Sequence, residues 1–297
     1  MSDSWTLITD ELSRAHGHDF SGARRRSIGG GSINSAWLLE AGERRAFIKL
    51  NSIEQLHMFE AEAEGLQALA HSQTLHIPTP YCYGVAGRHS YLAMEYLNLG
   101  SGNSNSMRRL GKGLATMHRH SQTEHGWHRD NTIGSTPQVN TRNADWPGFF
   151  GQQRLGFQLQ LAAQNGADQR TLQRGQRLSD ALDSFFSSYQ PQPSLLHGDL
   201  WSGNYAILAN GDPTIFDPAV YYGDRETDLA MTELFGGFSG DFYDSYNASW
   251  PLDPGYRTRK TLYNLYHILN HFNLFGGGYI NQAAHMIDEL LSEIRGD

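Results

Sequence analysis

The sequence predicts an α+β protein of two lobes: a small β-rich N-terminal lobe over residues 1–97 and a larger, mainly helical C-terminal lobe over residues 98–297. Three observations predict this. Before residue 97, short runs place apolar residues at every second position, the period of a half-buried strand. After it, apolar residues recur three and four apart, the period of a helix face. Between them, Gly100 to Ser106 is rich in Gly, Ser and Asn, the composition of a flexible join.

In chain order, Ala36 to Glu40, the turn Ala41-Gly42, and Arg45 to Leu50 with Ala46, Ile48 and Leu50 alternating read as a hairpin that ends around Lys49. From His57 to His71, Phe59, Leu66 and Leu69 fall on one helical stripe. Ile77-Pro78-Thr79-Pro80 breaks that pattern before a strand from Tyr91 to Tyr96. In the second lobe Met107, Leu110, Leu114 and Met117 form one stripe, and Met286, Ile287, Leu290, Leu291 and Ile294 another.

With 297 residues and 39% hydrophobic content the chain can bury a sizeable core. A formal net charge of -8 leaves no basic field for nucleic acid or an anionic membrane surface. The single cysteine, Cys82, makes no internal disulfide, the start of the chain lacks the pattern of a signal peptide, and no apolar run reaches the length of a membrane span. A cytoplasmic protein is expected.

Chemistry concentrates in His197-Gly198-Asp199-Leu200-Trp201-Ser202-Gly203-Asn204, followed by Ile215-Phe216-Asp217-Pro218. Acid, amide and acid at positions 199, 204 and 217 match the spacing with which kinase-type phosphotransferases hold magnesium-ATP beside a hydroxyl acceptor. In that reading Asp199 orients the acceptor hydroxyl or takes its proton, and Asn204 and Asp217 are magnesium ligands, supplying the hard oxygen donors that ion prefers. His197 then supports the loop by hydrogen bonding.

Upstream features point the same way. Gly29-Gly30-Gly31-Ser32 would let backbone N–H groups approach phosphate, although a triple glycine is also an ordinary turn; no Gly-Lys-Ser/Thr follows, which excludes a Walker-type loop. Lys49 alone would be a solvated strand lysine. Glu62, however, falls within the Phe59–Leu69 stripe, and a carboxylate on a buried face needs a cation, which makes Lys49 its expected partner. The alternative puts Glu62 at the wet edge of the stripe. Glu95 and Leu97, at the strand end near the lobe boundary, are expected as main-chain contacts to the adenine edge, or else as a plain strand end.

At this point the chain resembles the fructosamine kinase (ketosamine 3-kinase) family, within the protein-kinase-like, aminoglycoside phosphotransferase-like fold. The likeness rests on Gly29 to Ile33, Met58 to Leu66, His197 to Asn204, Asp217 to Glu226, Asp130 to Gln138, Phe149-Phe150 with Arg154-Leu155, and Leu269 to Gly276. It implies a bilobal kinase-like fold and ATP- and Mg2+-dependent phosphorylation of the 3-hydroxyl of a ketosamine, a step that destabilises the adduct and frees the amine. The partner would be a small-molecule ketosamine or a glycated amine or protein, with neither nucleic acid nor membrane. By similarity Trp201 would be an apolar wall for the sugar rather than core, with His271 a second acceptor-side candidate beside its reading as a core histidine. Many relatives carry a cysteine at the position of Ser32, so a redox switch built on it is absent here. The stretch from Asp217 to the helix expected at Thr227 to Phe235 is too short for a regulated activation loop, which favours a small acceptor. Two other readings stay open: a different small-molecule kinase of this fold, acting on an aminoglycoside, choline or another sugar, and a catalytically inactive nucleotide-binding module.

Overall fold

The structure is a computed structural model that describes residues 4–29 and 33–295. In chain order its elements are α1 (Ser4–His16), β1 (Arg24–Ile28), β2 (Ser35–Ala41), β3 (Arg44–Ser52), α2 (Leu56–His71), β4 (Pro80–Ala86), β5 (His89–Glu95), α3 (Ser104–Met117), β6 (Asn131–Ile133), β7 (Thr136–Gln138), α4 (Trp146–Phe150), α5 (Phe157–Gln164), α6 (Gln169–Asp180), β8 (Ser194–Leu196), β9 (Tyr205–Ile207), β10 (Pro213–Ile215), β11 (Tyr221–Gly223), α7 (Glu226–Leu234), α8 (Gly240–Ser249), α9 (Tyr256–Phe275) and α10 (Tyr279–Arg295). The chain divides into two compact units, residues 1–106 with 205–218, and residues 107–204 with 219–297. The hairpin β9–β10 thus belongs to the first unit, and the expected boundary at residue 97 does not describe it. Local pairing explains this: Gly100 N–H donates to Ile207 O, Ala209 N–H to Asn98 O, and His76 bridges to Thr214.

In the first unit, five antiparallel strands run in the order β1-β2-β3-β5-β4. The strand period of two sends Ala46, Ile48 and Leu50 of β3 to one face, where they pack with Ile8 and Leu12 of α1 and with Phe20. Phe47 and Lys49 point to the other face. Lys49 is therefore only 7% exposed, not the solvated strand-end lysine that its type suggests.

The second unit is built on α9, whose middle turns are buried all round. Leu262, Leu265, Ile268 and Leu269 pack with Ile287, Leu290 and Leu291 of α10, Leu178 of α6, and Trp146, Phe149 and Phe150 of α4. The stripe of α3 is buried as its spacing predicts. Between α4 and α5, residues Gly151–Gly156 form a π-helical turn. That turn carries Arg154, wholly buried, its guanidinium 4.1 Å from the Tyr221 ring and donating to Val139 O and Asn140 Oδ1. Among the described residues none of its partners is a carboxylate. No helix among them is long and apolar enough to cross a membrane.

Candidate active site

Within the first unit, Lys49 Nζ donates to Glu62 Oε1 at 2.6 Å and to Asp217 Oδ1 at 2.5 Å. Register puts Lys49 opposite Ala36 and Leu92, in the middle of the sheet, and the first half of α2 brings Glu62 over it. Burial opposes the charge on Lys49, but the Asp217 and Glu62 carboxylates outweigh it and hold the ammonium above its ordinary pKa. Burial, with Asp217 adding to it, raises the Glu62 carboxyl, and Lys49 pulls it back down. Asp217 is half-exposed and sits at φ 57, a left-handed conformation that Gln73 alone shares among the described non-glycine residues. Such backbone costs on the order of 1–2 kcal/mol, and the Lys49 contact fixes the side chain it carries.

The other first-unit candidates are less tightly drawn together. Gly29 follows β1, and among the described residues nothing stands within 4 Å of the position a side chain would take, which suits close approach by a ligand. Gly30, Gly31 and Ser32 lie outside the described residues. Glu95 ends β5. Its N–H donates to Thr79 O and its carboxylate accepts from Thr79 N–H and lies 3.2 Å from His76 Nε2, so the side chain and N–H are turned to this neighbourhood. Leu97 is half-buried just beyond.

In the second unit, residues 197–204 form a tight loop after β8. Gly198 has φ 83, and a Cβ there would stand 2.1 Å from Ala219 O. No other residue fits. Asn204 Nδ2 donates to Asp199 O at 2.8 Å and to Asp199 Oδ2 at 3.2 Å, joining acid and amide and directing the amide carbonyl the other way. Trp201 is 38% exposed, which rules out its reading as a core residue. Its indole lies where a Cβ on Gly203 would be, at 2.4 Å, so Gly203 makes room for the ring. Phe235 meets Trp201 edge to face at 6.4 Å, and His271 lies 4.7 Å beyond Phe235, half-buried rather than core.

Sequence reasoning missed what holds this loop. Asp228 of α7, 1% exposed, accepts from His197 N–H at 2.7 Å and Gly198 N–H at 2.9 Å, and lies 3.1 Å from His118 Nε2. His118 Nδ1 in turn meets the Tyr246 hydroxyl, which also accepts from Arg225. Burial alone would raise the Asp228 carboxyl; His118, His197 and the Gly198 N–H outweigh it and hold it ionised below its usual range. The available signal was the run Asp224-Arg225-Glu226-Thr227-Asp228 at the head of a short helix, more charge than a buried helix accepts without partners. Asp224 takes hydroxyl donors from Tyr189 and Tyr263, and Glu226 is bound by Arg259.

A strand lysine held by a helix glutamate, a strained aspartate on that lysine, and an acid–amide loop held from beneath by a buried carboxylate define a phosphotransferase of the kinase-like type. Comparison with known proteins agrees. Residues 4–293 match the model of the family described as "Fructosamine kinase", and the chain belongs to that family. The "Probable ketoamine kinase" of Synechocystis sp. is 49% identical over 97% of each chain, and the chloroplastic "Protein-ribulosamine 3-kinase" of Oryza sativa subsp. japonica is 43% identical over 91% of this chain and 79% of its own length. The crystal structure of a "Putative fructosamine-3-kinase" from Haemophilus somnus superposes with a TM-score of 0.89 at 29% identity, covering 97% of both chains. A thermostable mutant of the aminoglycoside phosphotransferase APH(4)-Ia superposes with a TM-score of 0.64 at 15% identity over 97% of this chain and 100% of its own, a likeness of fold.

Proposed function

We propose that this enzyme phosphorylates the 3-hydroxyl of a ketosamine at the expense of ATP. The observation that carries the reading is the pairing of Lys49 with Glu62 and Asp217, because a buried cation held by two carboxylates is poised for the phosphates of a nucleotide. The residues present fit magnesium-ATP. Asp217 and Asn204 offer hard oxygen donors, and among the described residues no group of three or more His, Cys, Asp or Glu makes an all-protein cage. That matches an ion bound by few side chains together with phosphate and water. Bound magnesium-ATP supplies the transferable phosphoryl group and neutralises its charge.

In this reading Lys49 holds nucleotide phosphates, Glu62 keeps Lys49 in place, and Asp217 and Asn204 hold the metal. Gly29 leaves room for the phosphates, and main-chain groups of Glu95 and Leu97 meet the base. Asp199 orients the acceptor hydroxyl and receives its proton, with Asn204 fixing the carboxylate through its Nδ2 donor. Trp201 walls the sugar. Catalysis rests on positioning and charge, as a loose phosphoryl-transfer transition state requires. Turnover of a small panel of fructosamine, ribulosamine and erythrulosamine adducts, compared with an aminoglycoside and choline, tests the reading. ATP-dependent phosphate on a sugar hydroxyl of the ketosamines alone is expected; turnover of the aminoglycoside or choline alone would overturn it, and nucleotide binding without turnover of any acceptor would mean an inactive module.

A further inference from the structure

A row of aromatic rings continues outward from Trp201 and has no part in the chemistry assigned above. Phe235 at the end of α7 meets His271 of α9 at 4.7 Å between ring centroids. His271 in turn meets Phe275 at 5.7 Å and Tyr279 at 5.3 Å. Phe275 is 57% exposed, a large apolar side chain left in solvent at the end of a long helix. From Thr261 to Ile287 the sequence contains no Asp, Glu, Lys or Arg. The neighbouring carboxylate, Glu233, is already taken by the Tyr256 hydroxyl and Lys260. Phe235, Phe275 and Tyr279 carry no formal charge, and burial lowers the pKa of the His271 ring. The carbonyl of His267 fixes its tautomer by accepting from Nδ1, which leaves Nε2 as a hydrogen-bond acceptor with no recorded partner among the described residues. Gly276, Gly277 and Gly278 border the ledge with open space about each.

We infer that Phe235, His271, Phe275 and Tyr279 form the subsite for the amine half of the acceptor: a protonated secondary amine and the alkyl chain behind it. The inference rests on the ketosamine reading above. Aromatic faces attract an ammonium without the desolvation of a carboxylate partner, a neutral imidazole does not repel it, and Nε2 accepts from its N–H. A sugar alone does not need so long a ledge, because Trp201 already stands beside the loop of Asp199. The rings beyond Phe235 are left for what the sugar is attached to.

The test uses two acceptors, a butylamine ketosamine and its neutral analogue with an ether oxygen in place of the amine nitrogen, on wild type, Phe275→Ala and His271→Ala. Wild type is expected to favour the amine. Each variant is expected to raise KM for the amine about 3- to 10-fold, the span of a cation–π contact of roughly 0.5–1 kcal/mol plus lost ring area. KM for ATP and kcat stay unchanged, and KM for the ether, which keeps only the alkyl contact with the ring, rises less than that for the amine. Phe275 is exposed, so its variant folds; an unaltered melting temperature checks that. Equal rises for amine and ether, or no rise for either, would overturn the subsite. Wild-type inactivity on every ketosamine would instead sink the proposed function and the subsite with it.

Discussion

Replacing Asp228 by Ala should disable the enzyme without touching any group that meets a substrate. The side chain accepts two backbone N–H bonds, from His197 and Gly198, and receives a third contact from His118, all fully buried. Leaving a buried donor unmatched costs about 1–3 kcal/mol, more where the lost acceptor was charged. Three such donors, less what the loop recovers by shifting, predict a loss of about 3–6 kcal/mol, near the upper end for a single substitution. Asp228→Asn keeps one acceptor oxygen and should lose about half of that. In both variants the loop that carries Asp199 is released, so kcat should fall at least 10-fold while KM for ATP changes little. Urea unfolding and steady-state kinetics measure the two effects. An Asp228→Ala protein within 1 kcal/mol of wild type and within twofold in kcat would refute the argument that this carboxylate holds the loop.

Three further outcomes follow from the same geometry. Lys49→Met should abolish turnover and destabilise the first unit by roughly 3–5 kcal/mol, because Glu62 stays buried without its cation; Lys49→Met with Glu62→Gln should restore much of the melting temperature and none of the activity, as calorimetry and kinetics can check. Gly203→Ala would put a methyl group 2.4 Å from the Trp201 indole, so the ring must swing away, raising acceptor KM and shifting tryptophan fluorescence while urea stability changes by less than about 2 kcal/mol. Burial, opposed by Asp145, lowers the pKa of His125 to about 4, and burial together with His271 lowers that of His267 to about 3. Over the window from the unfolded value near 6.5 down to those values, the unfolded chain binds protons that the folded one does not. Stability should therefore fall as pH drops below about 6.5, by up to about 1.4 kcal/mol per pH unit for each histidine; His267→Gln should flatten the slope seen in urea titrations at stepped pH.

How much could be read beforehand differs from residue to residue. The β2–β3 hairpin, the α2 helix and the stripes of α3 and α10 are written in apolar spacing because each buries one face, and the Lys49–Glu62 pair followed from the cost of a lone carboxylate on such a face. Helix α1 left a weaker trace, since Ile8, Thr9 and Leu12 make a narrow stripe in a short polar segment. The attachment of β9–β10 to the first unit depends on backbone hydrogen bonds between segments about a hundred residues apart, which no local pattern records. The burial of Arg154 leaves no local trace in the sequence, because ring faces and carbonyls rather than a nearby acid make it tolerable. Asp199, Asn204 and Asp217 were singled out by spacing alone, and their roles are those proposed above. Asp228, which holds the loop, sits on another element, and its charged run at the head of α7 signals burial with partners without naming the loop as one of them.

In the proposed reaction Asp199 directs a sugar hydroxyl for phosphoryl transfer. Phosphate-position mapping by NMR on a fructosamine adduct, with wild type and Asp199→Asn, tests it most directly. Wild type should give a single 3-phosphate product, and Asp199→Asn a rate at least 100-fold lower with nucleotide binding retained. Phosphate at another position, or an Asp199→Asn enzyme that keeps its rate, would contradict it.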